Sequence, residues 1–406
     1  MPRTNFEIPD NLQYLKGLNS YHETEVTPGI IPSASTYEQN SQFGIYPERL
    51  SGSSFILQRS QQKQAFLYRL LPSTLHGKYR KVPNHALDKP GYDSGPVASA
   101  WAPLPMAEVE SNDLLTGMKH IGGAGDPTLK NGVAIYAFTA GKSMPQNQAF
   151  DNADGDWCIV PQHGTLDFRT EFGCLRVRPG ELCVIPRGIR FHVALPQGAI
   201  RGFVFETYSG HYELPELGPI GSYCLANARD FEIPTASIVE SDDATQILTK
   251  FGGRVYETEY KGSIFNVAAW HGTYYPFKYD LARFAPIGSL LVDHPDPSTF
   301  TVLTCAGNLP GQAAADICVL GPRWIVMENS FRPPRYHRNI MTEFAFLLKG
   351  SFDATPMPAE LAGFFMLQNP MTAHGPTSKS FQRAIAQEMV PERVSDESMG
   401  VLFETA

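Results

Sequence analysis

The chain has 406 residues, of which 42% are hydrophobic, 18% charged and 11% aromatic, a balance that excludes disorder, collagen-like repetition and coiled coil. Thirty-three basic against 41 acidic side chains leave a formal charge of −8, and with no basic stripe, nucleic acid and anionic membrane surfaces are not expected partners. This length accommodates two or three domains or one large β core with an appended unit.

The opening MPRTNFEIPDNLQYLKGLNS lacks the continuous apolar core of a signal peptide, and no later run is long enough to cross a bilayer. A cytoplasmic protein is expected. The six cysteines, Cys158, Cys174, Cys183, Cys224, Cys305 and Cys318, show no C-x-x-C pair, which suits buried reduced thiols better than a disulfide framework.

Thirty-five glycines and 33 prolines cut the chain into runs too short for long helices, the pattern of an all-β protein. The stretch from Gln61 to about Val97 is polar and turn-rich. Helical spacing is expected over Asn112–Lys119 and again over Asp242–Phe251. Between them, Gly132–Thr139, Trp157–Val160, Gly180–Pro186 and Gly202–Glu206 are β-branched and aromatic runs bounded by turn formers, and read as strands of a sandwich or barrel. No glycine-rich phosphate loop follows any of them. The segments Pro179–His192 and Phe331–His374 read as two diverged copies of one barrel module, which places a domain boundary near residue 283.

The chemistry concentrates in FRPPRYHRNIMTEFAFLLKG, residues 331–350, which reads as a turn feeding a strand. His337 and Glu343 lie an even number of residues apart, and even separations on a strand return side chains to one face. With His374 in QNPMTAHGP they form a set of two imidazoles and one carboxylate. That donor set holds a mononuclear non-haem Fe(II) and leaves positions open for substrate and O2, whereas thiolates would favour zinc or clusters. The competing reading makes His337 and His374 ordinary turn or core histidines and Glu343 a solvated acid.

His294 stands between Asp293 and Asp296 in LVDHPDPSTFTVLT, and is either an acid/base beside the metal or a turn cap. His192 occupies the place of a late barrel ligand, but no His-x-His pair precedes it, so that barrel is expected to be metal-free. His120 and His271 are expected in loops rich in glycine and aromatic residues, with packing or a turn hydrogen bond as the expected role and pocket lining as the alternative.

The strings LSGSSF (50–55), LYRLLPS (67–73), GAGDP (123–127), NADGDWCIVPQHG (152–164), ELPELGPIG (213–221), LANARDFEIP (225–234), FNVAAWHG (265–272), DHPDPSTFTVLT (293–304), FRPPRYHRNIMTEF (331–344) and MTAHGP (371–376) occur in order along nearly the whole chain. Together they resemble the homogentisate 1,2-dioxygenase family. The resemblance implies a mostly β protein, with a large N-terminal β-sandwich or barrel domain over 1–283 and a C-terminal cupin-like β domain over 284–406. It implies Fe(II) held by His337, Glu343 and His374, with His294 as acid/base, and a homo-oligomer, trimeric or hexameric. The implied reaction opens the ring of homogentisate to maleylacetoacetate with both atoms of O2 retained.

Two positions depart from the family where substrate is expected to bind. Phe352 stands where the family usually has a tyrosine, and Gln368 where it usually has a histidine. Loss of one hydrogen bond to a bound hydroxyl costs about 1 to 3 kcal/mol, enough to change substrate preference. Two enzyme readings follow: a homogentisate dioxygenase with a variant pocket, in which Phe352, Gln368 and His374 meet the substrate, or a paralogue that cleaves another, bulkier or polycyclic hydroquinone. A cupin-type binding protein is the non-enzyme alternative.

Overall fold

The computed structural model describes residues 4–33, 42–89, 95–106, 109–216, 225–284, 286, 297–325, 335–352, 357–388 and 390–406. The chain is mostly β, and its largest sheet has eight strands, all paired antiparallel. At the centre of that sheet lie Glu181–Ile185, Asp156–His163, Ile200–Thr207 and Asn131–Ala140. These are the four runs expected from the sequence. Their residues are buried on both faces, which explains why they read as continuous apolar runs rather than as an alternation.

A seven-stranded sheet packs beside it and contains one parallel pair, Gln148–Asn152 with Thr245–Phe251. The helix expected over Asp242–Phe251 is thus corrected to a strand. Thr245, Ile247 and Thr249 pair with Tyr260, Thr258 and Tyr256 on the following strand, and this hairpin around Gly252–Gly253 overrides the weak helical spacing of so short a segment. Asn112–Lys119 is likewise a turn that leads into the strand Met118–Asp126, with the Asp113 carboxylate accepting from the Leu115 and Thr116 backbone amides. Among the described residues the one α-helix is Ser378–Ala386, capped by the Thr377 hydroxyl, which accepts from Ser380 N at 3.2 Å. It was not expected. No helix among the described residues is long and apolar enough to cross a membrane.

The sheet that carries the C-terminal chemistry has the order Tyr212–Glu213, Thr301–Ala306, Ala313–Leu320, Met399–Thr405, Thr342–Lys349, Phe365–Gln368, Ala98–Trp101. Both edge strands come from the N-terminal part of the chain, so this sheet is completed by residues far from it in sequence. Along Thr342–Lys349 the side chains alternate. Phe344 and Phe346 are fully buried and meet Phe203, Phe205 and Phe365 at ring-centroid distances of 4.3 to 6.2 Å, and Phe403 stacks on Phe205 at 4.6 Å. Such pairs contribute about 0.5–1.5 kcal/mol each beyond their buried area, and they clamp this sheet onto the eight-stranded one. The opposite face of the same strand is left to Glu343, Ala345 and Leu347.

The five cysteines among the described residues form no disulfide.

Candidate metal centre

Glu343 lies at the start of its strand, flanked by Gln368 on one neighbour and Glu404 on the other, both in direct register. His337 and His374 are on loops, not on that strand. An isolated antiparallel bridge joins them: His337 N donates to the His374 carbonyl at 3.0 Å, and His374 N donates to the His337 carbonyl at 3.1 Å. A third backbone bond, from Met371 N to the Asn339 carbonyl at 2.8 Å, ties the loops together again. Met371 adopts φ 59, a left-handed conformation that a non-glycine residue takes at a cost. That turn swings the chain from Gln368 back to His374. The even spacing of His337 and Glu343 therefore places them on a common site through the loop bridge rather than along one strand.

One ligand atom from each of His337, Glu343 and His374 lies within 4.8 Å of the other two. The imidazoles are oriented from behind. His337 Nδ1 donates to the Arg335 carbonyl at 3.0 Å and His374 Nδ1 to the Thr372 carbonyl at 2.8 Å. With the proton fixed on Nδ1, each Nε2 carries a lone pair, and these face Glu343 Oε1 at 3.3 Å and Oε2 at 3.2 Å. Two Nε2 atoms converging on one carboxylate make a donor set that suits a cation held among the three groups, and a backbone acceptor behind each ring is the usual support of a metal-ligating histidine. The residues fit a metal ion. His337 is 45% exposed at its side chain, while His374 and Glu343 are at 15% and 13%, so the cluster opens to solvent on the His337 side.

Polar atoms around this cluster lack partners. Gln368 Oε1, Asn339 Oδ1 and Thr372 Oγ1 are buried without a hydrogen bond among the described residues. Asn339 also donates through Nδ2 to Glu343 Oε1. It was missed in the sequence reading, although its position two residues after His337 and four before Glu343 offered a signal. Phe352 lies against Gly400, where an added Cβ would come 2.8 Å from its Cε1. Gly400 pairs with Leu347, four residues along the strand from Glu343, or about 13 Å, and on the face that carries the carboxylate. His294 lies outside the described residues.

The other singled-out histidines pack or cap. His120 and His271 are on strands rather than in loops. Burial, with Lys250 nearby, pulls His120 down to about 4, and its ring rests 4.2 Å from that of Tyr136. His271 stacks on Phe66 and its Nε2 lies 3.1 Å from the Tyr68 hydroxyl. His192 Nε2 donates to the Met144 carbonyl at 3.1 Å. No second metal cluster of this kind is found among the described residues.

A predominantly β chain that gathers two imidazoles and a carboxylate at one open site has the donor set of a metal-dependent protein. Residues 13–281 match the sequence model of the homogentisate 1,2-dioxygenase N-terminal region and residues 282–406 that of the C-terminal region. A homogentisate 1,2-dioxygenase of Emericella nidulans is 43% identical over all of this chain and 91% of its own length. Those of Dictyostelium discoideum and Drosophila melanogaster are each 41% identical over 97% of this chain and 91% of their own. The chain belongs to the homogentisate 1,2-dioxygenase family. Among solved structures, a cupin 2 conserved barrel domain protein from Leptotrichia buccalis aligns with 71% of this chain and 88% of its own at 9% identity and a TM-score of 0.30, a likeness too slight to carry an argument.

Proposed function

We propose that this protein is a ring-cleaving dioxygenase that opens homogentisate to maleylacetoacetate, with Fe(II) held by His337 Nε2, His374 Nε2 and the Glu343 carboxylate. One observation supports this above the others: both imidazoles have Nδ1 committed to a backbone carbonyl, so that both Nε2 lone pairs converge on one carboxylate. Family membership supplies the reaction class, and the overall change is balanced, since the product is the substrate plus both atoms of O2.

Iron at this site supplies a redox-active Lewis acid with positions open to substrate and O2. The chain does the rest. The two histidines and Glu343 fix the ion at the mouth of a sheet face walled by apolar residues, with Phe352 as the far wall of that face. Gln368, directly across from Glu343, presents an amide to the ring. His294 is proposed to hold or take up the phenolic proton. The metal-bearing unit is proposed to begin near residue 284, with the N-terminal unit over 1–283, and the working form to be a homo-oligomer, trimeric or hexameric.

A second reading has one supporting observation, the unpartnered Gln368 Oε1: an amide in place of the family's usual imidazole suits a different hydroquinone. Oxygen uptake by anaerobically purified, Fe(II)-reconstituted protein separates the two. Stoichiometric uptake with homogentisate and a product heavier by two oxygen atoms supports the first reading. No uptake with homogentisate but uptake with a substituted or fused-ring hydroquinone replaces it with the second.

A further inference from the structure

Asn339 sits beside the carboxylate that anchors the proposed metal site. Its Nδ2 donates to Glu343 Oε1. The reverse orientation would set the amide oxygen against a carboxylate oxygen, acceptor against acceptor, so the carboxylate dictates which way this amide points. Oδ1 is thereby committed to the other side. It is buried there and meets no donor among the described residues.

A buried carbonyl oxygen without a donor is uncommon and costly. Among the described residues the neighbouring groups supply none. Both Nδ1 protons are spent on the Arg335 and Thr372 carbonyls, both Nε2 atoms face Glu343, and the Gln368 and Thr372 side-chain oxygens lie in the same unpartnered condition. Thr372 Oγ1 can donate as well as accept, yet it is itself unpartnered among the described residues and does not serve Asn339 Oδ1, so a hydroxyl brought by the ligand is the donor that suits this oxygen. A dihydroxy-aromatic brings two O–H donors, and each of its mono-methyl ethers lacks one of them.

We infer that Asn339 is a two-ended positioning residue: its amide nitrogen steadies the Glu343 carboxylate as a ligand, and its amide oxygen accepts a hydrogen bond from a hydroxyl of the aromatic substrate. This assignment rests on the proposed function for its substrate half and on the side-chain geometry alone for its carboxylate half.

The test uses the full-length protein, Co(II) as the metal probe, and two variants, Asn339→Leu and Asn339→Ala, each checked for an unchanged far-ultraviolet circular dichroism spectrum. Anaerobic Co(II) titration is expected to show affinity lowered by about 10- to 100-fold, with shifted visible absorption bands, as for loss of a group that orients a ligand. Unchanged affinity and bands in both variants overturn the carboxylate half. Binding of homogentisate and of its two mono-methyl ethers to the Co(II)-loaded proteins then reads the other end. The unaltered protein is expected to favour homogentisate over one ether by about 10- to 100-fold, and both variants to lose that preference to within about threefold, a thermodynamic cycle that isolates the pair. A preference retained in the variants overturns the substrate half. No binding of homogentisate to the unaltered protein overturns both that half and the proposed substrate, and leaves the Co(II) titration to decide the carboxylate half.

Discussion

Gly375 lies directly beneath Tyr336. A Cβ built on Gly375 would stand 2.6 Å from the Tyr336 ring and 3.1 Å from its Cα, and the backbone of Gly375 is at φ +157. The missing side chain is what lets the residues that follow His374 pass under those that precede His337. Gly375→Ala is expected to push the two loops apart, leave Glu343 on its strand, and weaken metal binding by about tenfold or more. Anaerobic Co(II) titration of the variant checks this, and an unchanged affinity would show that the loops tolerate the extra atom.

Removal of a ligand should act on the metal itself. His337→Ala and Glu343→Ala are expected to lose bound iron after reconstitution and desalting, as measured by elemental analysis. His294→Ala is expected to keep its iron and lose about 10²- to 10⁴-fold in turnover, the usual contribution of an acid/base. Turnover retained in either of the first two variants contradicts the ligand assignment.

Gln368→His restores the residue that the family usually carries opposite Glu343. If the first functional reading holds with a weakened pocket, kcat/KM for homogentisate rises by about 10- to 100-fold, the worth of one hydrogen bond to a buried hydroxyl. A fall in homogentisate turnover, with another hydroquinone remaining the better substrate for the unaltered protein, favours the second reading.

Far from the site, Glu206 is fully buried and accepts from Lys250 Nζ at 2.8 Å, Asn152 Nδ2 at 2.8 Å and the Tyr136 hydroxyl at 2.8 Å. Lys250 is equally buried and its second partner is Asp154, at 3.0 Å. Glu206→Ala strands a buried ammonium with half its compensation, at a cost of about 3–5 kcal/mol. A lowered urea midpoint records the loss, and a midpoint within experimental error of the unaltered protein refutes it.

Asp151 supplies a pH dependence of known sign. Burial raises its carboxyl from 3.8 to about 6, against Arg190, which lowers it, and with Glu171, which adds to the rise. The folded form thus holds its proton more tightly than the unfolded chain, so this group's contribution is fully present below about 4 and lost as pH rises through about 6. Asp151→Asn removes the ionisation, and the melting temperature of the variant minus that of the unaltered protein is expected to grow between pH 4 and pH 7. A difference that is flat or shrinks over that range contradicts the assignment.

The residue types gathered at the candidate centre were legible in the sequence, because two imidazoles and a carboxylate are a donor set that suits a divalent metal ion. The central strands were legible too, since Asn131–Ala140, Asp156–His163, Glu181–Ile185 and Ile200–Thr207 are apolar on both faces and bounded by turn formers. Local pattern failed at Thr245–Phe251, where pairing with Gln148–Asn152 and Arg254–Tyr260 outweighs a weak helical spacing. The helix Ser378–Ala386 was missed although Phe381, Ala384 and Ile385 stand at helical spacing, because the segment has only nine residues and is polar on average.

Only the tertiary structure decided how the donors meet. The His337–His374 bridge and the register that sets Gln368 and Glu404 beside Glu343 are contacts between distant chain segments; the carbonyls behind the two Nδ1 atoms and the Asn339 amide on the carboxylate lie two to four residues from the groups they hold, on loops whose shape those contacts fix. The completion of the C-terminal sheet by Ala98–Trp101 and Tyr212–Glu213 is likewise a contact between distant segments. The sequence by itself determined the chemistry available, because that is written in side-chain types and short-range periodicity. How the three donors come together was decided by the backbone bridge between the loops and by strand register, long-range pairings that have no local signature in the chain.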